Sequence, residues 1–142
     1  MNIKYTLACM LLTCSSQSFA ESVSYPTEDQ PLVSAKTIIG QPFQYPNGSA
    51  IITSALIEMI PGESTGWHHH EAPVFAMVLE GELTVDYGEN GKRVYRKSDR
   101  FVEAFRTSHN GTNTGSDPVR ILAVFAGSDS AENTVKGLQQ VP

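Results

Sequence analysis

The residues with the clearest chemical potential in this 142-residue sequence are its four histidines, which fall at only two places. Three are consecutive, His68, His69 and His70, and the fourth is His109. Imidazole is the commonest metal ligand among side chains and the group most readily protonated near neutral pH. This distribution indicates one metal site that is built from both places.

The spacing within the first cluster separates its members if the segment is a β-strand. Successive strand residues point to opposite faces, so His68 and His70 share one face and His69 takes the other. On a helix the same two rings would diverge by about 200°. An exposed loop is the competing interpretation, but Trp67 and the apolar residues 73–75 favour an internal strand. We therefore expect His68 and His70 to bind the metal, and His69 to lie at the surface or behind the ligands.

The elements that must position these histidines are short β-type segments separated by turn residues. Residues 87–91, Tyr-Gly-Glu-Asn-Gly, predict a hairpin. No helical stripe is present before the last dozen positions, and the length suits one domain. The pattern predicts an all-β sandwich or barrel. The apolar or alternating runs are residues 37–39, 51–60, 74–79, 83–87 and 119–125.

The N-terminal 20 residues have the pattern of a secretory signal peptide. Lys4 supplies a positive start, residues 7–13 an apolar centre too short to span a bilayer, and residues 18–20 a small-x-small cleavage site. We therefore expect an exported, periplasmic protein whose mature chain begins at Glu21. A lipid anchor on Cys14 is the lesser alternative, because the preceding residues only faintly resemble a lipoprotein box.

Composition narrows the class of protein further. Both cysteines lie within the predicted signal, so the mature domain relies on its core and not on disulfides. The formal net charge of −5 disfavours nucleic acid or an anionic membrane as a partner. We expect an extended arm over residues 21–35, a barrel domain over 36–126, and a polar tail over 127–142 that is disordered or a short helix.

The segments around the histidines resemble the two conserved motifs of the cupin family. In the first motif, a glycine precedes a His-x-His pair and a second glycine follows Val-Leu-Glu. In the second motif, a histidine is followed four residues later by asparagine. The matching residues are Gly62, His68, His70 and Gly81 for the first motif, and His109 and Asn113 for the second.

This resemblance covers about residues 36–126 and implies a small jelly-roll β-barrel. It also implies one divalent transition metal held inside the barrel by His68, His70 and His109. Barrels with exposed edge strands commonly pair them, and cupins often dimerise, so a homodimer is expected by analogy.

The sequence departs from the family pattern in both motifs. The position where many cupins supply a glutamate ligand holds Val74, which has no donor atom. Glu71 or water remain as replacements, although a turn role is favoured for Glu71. In the second motif, the places usually held by Gly, Pro and Gly are occupied by Ser98, Ala104 and Arg106, which leaves that turn less constrained.

Three neutral imidazoles suit iron, manganese, nickel, copper or zinc, and they leave a coordination position open. A dication without a carboxylate ligand favours anionic or enolic oxygens and lowers the pKa of a bound water. Some cupins with three histidine ligands are iron dioxygenases, so the resemblance implies a dioxygenase-like oxidoreductase that acts on a small molecule.

Other side chains have two open interpretations each. Glu103 either points into the barrel, where it orients a ligand or acts as a base, or pairs with Arg100 or Arg106 at the surface. Asn113 either supports the site or stabilises a turn, and the latter is favoured. Four further residues either line a pocket or belong to the core: Trp67, Phe75, Met77 and Phe101.

Three functions are consistent with these features. The first is an exported metal-dependent enzyme, the second a periplasmic module that binds a metal or a small ligand without turnover, and the third a partner-binding barrel whose histidines are vestigial. The three retained histidines weigh against the third. No pattern in the sequence selects a sugar, an aromatic ring or an amino acid as the ligand.

Overall fold

A computed structural model of the protein describes residues 31–137, so the predicted signal peptide, most of the predicted arm and residues 138–142 lie outside the described part. Within that part the regular elements are β-strands and one 3-10 turn, Gly88–Asn90, with no α-helix. The strands are β1 (Ala50–Met59), β2 (His68–His69), β3 (Val74–Glu80), β4 (Glu82–Asp86), β5 (Lys92–Arg96), β6 (Arg100–Val102), β7 (Asn110–Asn113), β8 (Val119–Ser128) and β9 (Val135–Lys136).

The strands form antiparallel sheets of a jelly-roll barrel. One sheet has the order β1-β8-β3-β6, a second has the order β5-β4-β7, and β2 pairs with β9 in a two-stranded ribbon. The prediction of an all-β jelly roll is therefore confirmed. No helix among residues 31–137 is both long enough and apolar enough to cross a membrane.

Alternation along the strands builds the core between the two larger sheets. In β3, Val74, Ala76 and Val78 are buried, whereas the intervening Phe75 and Met77 are half-buried on the other face. β8 alternates in the same way, so its second face is only partly covered although its composition predicts burial on both faces. Burying the apolar side chains of one face contributes roughly 1.5–3 kcal/mol for each large residue.

Two turns in the first half of the barrel have glycine at the positions that require it. The predicted hairpin joins β4 to β5, and the Tyr87 amide donates to the Gly91 carbonyl at 2.9 Å. Between β3 and β4, Gly81 has a φ of +77°, and a Cβ at this position would lie 2.6 Å from the Pro118 carbonyl oxygen. Only glycine avoids both the left-handed strain and this contact.

Two substituted positions of the second motif keep a left-handed backbone, one in the turn between β5 and β6 and one in the loop before His109. Ser98 has a φ of 76° and Arg106 a φ of 52°, and these are the non-glycine residues with positive φ in the described part of the chain. Both stand where the second cupin motif usually has glycine. The backbone therefore retains the conformation that glycine favours, at a cost of roughly 1–2 kcal/mol per residue.

The chain after β8 returns to the strand that carries His68 and His69. We call residues 129–137 the C-terminal strap. Its strand β9 pairs antiparallel with β2, with His68 opposite Lys136 and His69 opposite Val135. The expectation of disorder or a short helix in the tail is wrong for this segment, because two residues of β9 complete their backbone hydrogen bonds against the histidine strand. A strand this short has no periodicity from which it could be predicted.

Candidate metal centre

Three of the four histidines meet at one point inside the barrel. The ring centroids of His68, His70 and His109 lie 4.5–5.0 Å apart, and one ligand atom from each lies within 4.8 Å of the others. The backbone of His68 pairs with that of His109 through two hydrogen bonds of 2.9 and 3.0 Å, which fixes the distance between the two sequence segments. The alternation of side chains places His69 elsewhere, where its Nε2 lies 3.2 Å from a Glu71 oxygen.

The main chain fixes the tautomer of all three converging rings. The Nδ1 atom of His68 lies 2.8 Å from the Gly66 carbonyl, and that of His109 lies 2.9 Å from the Thr107 carbonyl. The Nδ1 atom of His70 lies 3.0 Å from the carbonyl of Asn133 in the C-terminal strap. Because a carbonyl only accepts, each Nδ1 carries the proton and donates it, and each Nε2 keeps its lone pair for a metal.

Burial keeps these rings neutral. It lowers the pKa of His70 to about 3, and the neighbouring rings of His68 and His109 add to the effect. Burial is also the largest cause of the lowered pKa of His68 and of His109. A neutral imidazole is the form that binds metals, so the three residues fit a divalent transition metal at neutral pH.

The two acids considered from the sequence lie in different surroundings. Glu71 accepts a hydrogen bond from the Arg106 Nε at 2.7 Å and also contacts His69, away from the three-histidine group. Glu103 is buried, and its Oε2 lies 3.9 Å from the His109 Nε2. Its backbone amide donates to the Val74 carbonyl at 2.8 Å. Val74 has no carboxylate, but Glu103, whose backbone pairs with that of Val74, brings one close to His109.

Two tyrosines that were not singled out in the sequence support Glu103. The hydroxyls of Tyr87 and Tyr95 lie 2.9 Å apart, and the Tyr87 hydroxyl also bonds the Glu103 carboxylate. Burial raises the pKa of Glu103 to about 7, although the Ala104 amide and Tyr87 stabilise its charged form. Burial also raises the pKa of both tyrosines. Glu103 can therefore hold or release a proton near neutral pH beside the histidines. The alternation of β4 continued to residue 87 is the one sequence signal that could have placed Tyr87 inside.

A cavity of 220 Å³ opens beside the three histidines and Glu103. This is below the range of about 300–1,000 Å³ that is typical for drug-sized ligands, so the cavity suits a small molecule. Aliphatic and aromatic side chains from both larger sheets form its wall, Phe101 and Val74 among them.

Other residues expected at a pocket lie elsewhere. Phe75 and Met77 alternate with the cavity-lining residues of β3 and lie on its other face, so of their two interpretations the one as lining of this cavity is not met. Trp67 is half-buried and is also absent from the lining. Asn113 is buried, and its amide donates to the Met59 and Asp117 carbonyls at 2.9 Å each, which is a turn-stabilising arrangement.

Comparisons with known proteins agree with this architecture. The model of the cupin domain matches residues 55–125, half of the chain, and the chain therefore belongs to the cupin family. No curated protein sequence matches the chain significantly.

Two oxalate decarboxylases of known structure share the fold, and a sugar phosphate isomerase is also similar. An oxalate decarboxylase from Lactobacillus farciminis in complex with formate superposes with a TM-score of 0.53 at 20% identity, over 60% of this chain and 26% of that one. An oxalate decarboxylase from Bacillus subtilis gives 0.50 at 26% identity, over 60% and 23%. A sugar phosphate isomerase of the cupin superfamily from Silicibacter pomeroyi gives 0.48 at 23% identity, over 54% and 51%. The chain thus spans about a quarter of the length of the decarboxylases.

Proposed function

We propose that this protein is a metal-dependent enzyme in which His68, His70 and His109 bind one divalent transition metal that takes a small molecule as a further ligand. The main support for this proposal is that three main-chain carbonyls accept hydrogen bonds from the Nδ1 atoms of these histidines. The three Nε2 lone pairs are therefore free to bind one metal ion. Iron, manganese, nickel, copper and zinc all accept such nitrogen donors. Manganese is included also because the Bacillus subtilis oxalate decarboxylase has Mn(II) centres.

The reaction class that we propose is a dioxygenase-like oxidation of a small molecule. A bound redox-active metal would supply the Lewis acid and the electron-transfer centre. Glu103 supplies a carboxyl group that exchanges a proton near neutral pH, and Tyr87 holds that group in place. The apolar wall excludes bulk water and thereby strengthens electrostatic interactions within the cavity.

A module that binds a metal or a small anionic ligand without turnover is the second candidate. Val74 is the observation that favours it, because it lines the cavity at the position where many cupins place a carboxylate ligand. Glu103, the buried acid near the centre, does not belong to the group whose ligand atoms converge among residues 31–137.

We also propose that the protein is exported to the periplasm, on the basis of the signal pattern in residues 1–20. Export decides which metals the protein meets. Protein for metal analysis is therefore best purified from that compartment, and N-terminal sequencing of the same material is expected to begin at Glu21.

Elemental analysis followed by oxygen-uptake measurements tests the enzyme against the binding module. Protein loaded anaerobically with iron is mixed with small diols, enols or thiols, and oxygen consumption is recorded for the wild type and for Glu103→Gln. Substrate-dependent uptake that falls in the variant while metal content is unchanged supports the enzyme. Stoichiometric metal without uptake for any of these compounds supports the binding module. Failure of the wild type to take up any of the five metals contradicts the enzyme and the metal-binding form of the module.

We further propose that two copies pair through β1. This strand of ten residues is an edge of its sheet, and Ile52 and Leu56 on its outer face are 69% and 60% exposed. Its one charged residue is Glu58, and it has no proline, so it lacks the usual protection against pairing. Light scattering after size exclusion is expected to give a dimer mass for the wild type and a monomer mass for Leu56→Lys. A monomeric wild type at micromolar concentration contradicts this proposal.

A further inference from the structure

The C-terminal strap brings a cationic side chain to the cavity. Lys136 of β9 is the direct antiparallel partner of His68 in β2. Side chains of directly opposite residues project to the same face of a two-stranded ribbon. Since His68 faces the cavity, Lys136 faces it too, and both residues belong to the lining.

Lys136 has no acidic partner within residues 31–137, unlike several other basic residues of the barrel. Arg106 pairs with Glu71, Lys92 with Asp86, and Arg120 with Glu58 and Glu80. A cation that is held at a cavity without a carboxylate partner is available to a ligand.

The charges around the cavity are few. Apart from the histidines, Glu103 and Lys136 are the ionisable residues of its lining, and most of the remaining wall is aliphatic or aromatic. Glu103 is buried near His109, whereas Lys136 is the exposed charged residue of the lining. A ligand that enters therefore meets a cation first and an apolar wall next, with the three-histidine centre within the same cavity.

We propose that Lys136 is a specificity-determining residue that selects small carboxylates with a compact apolar body. Its ammonium group pairs with the ligand carboxylate, a charge-assisted hydrogen bond that an amide of the same shape does not form. The 220 Å³ cavity limits the size of the apolar body. This inference rests on the proposed function, because it assigns a ligand class to the same site.

The strap also connects this selection to the histidines. The Asn133 carbonyl accepts the Nδ1 proton of His70, and the Thr134 hydroxyl lies 3.2 Å from the same nitrogen. Lys136 follows two residues later. One short segment thus orients a metal ligand and carries the cation that meets the substrate.

Isobutyrate and isobutyramide are suitable probes because they have nearly the same shape and differ in charge. Each is titrated by calorimetry at pH 7 into zinc-loaded and into chelator-treated protein. The variants are Lys136→Met, which keeps the apolar stem, Lys136→Arg, which keeps the charge, and Lys97→Met, which removes an exposed lysine that does not line the cavity.

Lys136→Met is expected to weaken isobutyrate binding about tenfold or more, in line with the loss of a hydrogen bond to a charged group, and to leave isobutyramide binding unchanged. Lys136→Arg is expected to retain binding, and Lys97→Met to match the wild type. If the wild type takes up zinc but binds isobutyrate no more tightly than Lys136→Met does, this inference is overturned and the proposed metal function is not. An equal loss in Lys97→Met also overturns it, because the effect would then be a general one of net charge.

Failure of the metal site is distinguishable from failure of this inference. If the wild type takes up none of the five metals, the proposed metal function is wrong, and the chelator-treated comparison still decides the role of Lys136. A dependence of isobutyrate binding on Lys136 in that protein supports the carboxylate site by itself.

Discussion

Replacement of both His68 and His109 with alanine is expected to reduce the metal content of the purified protein to background. Removal of a group that hydrogen-bonds to a metal ligand commonly lowers the metal affinity 10–100-fold. The loss of two of the three ligands themselves is expected to lower it further. Inductively coupled plasma mass spectrometry after dialysis against a metal-buffered solution measures the effect.

The fold is expected to survive this double substitution. The contacts that join the two positions are backbone hydrogen bonds, from each amide to the other carbonyl, and alanine retains them. Circular dichroism in the far ultraviolet is therefore expected to match the wild type. Retention of full metal content by the double variant would mean that the metal is bound elsewhere.

His69→Ala is the matched control, since it removes an imidazole from the same three-residue cluster. Its ring contacts Glu71 and not the converging nitrogens. Unchanged metal content in this variant is expected. A loss equal to that of the double variant would contradict the assignment of faces along β2.

In metal-free protein, the contribution of His70 to stability is expected to be lost as the pH falls from 7 to 5. The pKa of His70 is about 3 in the folded protein, below its ordinary value of 6.5. The unfolded chain therefore binds more protons in this window, and the free energy of unfolding falls by roughly 1.4 kcal/mol per pH unit for each such group. His70 alone contributes about 2 kcal/mol of loss between pH 7 and 5.

The other ionisable groups at the centre also change the pH dependence of stability. His68 and His109 have lowered pKa values and add to the loss on acidification. Glu103 has the opposite sign, because its pKa is raised to about 7 and its protonated form favours the folded state as the pH falls. Its gain of about 2 kcal/mol between pH 7 and 5 is similar in size to the His70 loss, so the two largely offset each other in the wild type, and a His70 variant isolates the histidine.

Urea unfolding at pH 7 and pH 5 in the presence of a chelator measures this loss, and His70→Gln is the comparison. The variant is expected to lose about 2 kcal/mol less than the wild type over the same interval. An equal change in stability between the two pH values for the wild type and the variant would contradict the burial argument. Imidazole nitrogen chemical shifts report directly whether His70 is still neutral at pH 5, even if the variant does not fold.

The local sequence pattern determined much of the strand and turn structure around the histidines. The period of two along a strand separated His69 from His68 and His70, and the Tyr87–Gly91 turn chemistry predicted the hairpin that the structure confirms. The spacing of the two histidine segments identified the family. These are properties of neighbouring residues, and strand geometry and turn chemistry convert them directly into structure.

The surroundings of the ligands were decided by the tertiary structure. Two Nδ1 acceptors, the carbonyls of Gly66 and Thr107, are two residues from their histidines, but the acceptor for His70 is Asn133, 63 residues away. Glu103 became the cavity carboxylate because its backbone pairs with that of Val74. Cross-strand register of this kind depends on how the sheets pack, and a single strand does not encode its partner.

Phe75 and Lys136 show what strand parity and packing decide. Phe75 has the composition of a pocket residue, yet the parity of β3 turns it to the opposite face. Lys136 lies in a polar tail without periodicity, yet it stands across from His68 because the chain returns after β8. The sequence by itself determined that three histidines form one centre. The packing of the strap against β2 decided that the Lys136 cation lies at this cavity. A two-residue strand forms only when a partner strand accepts its hydrogen bonds.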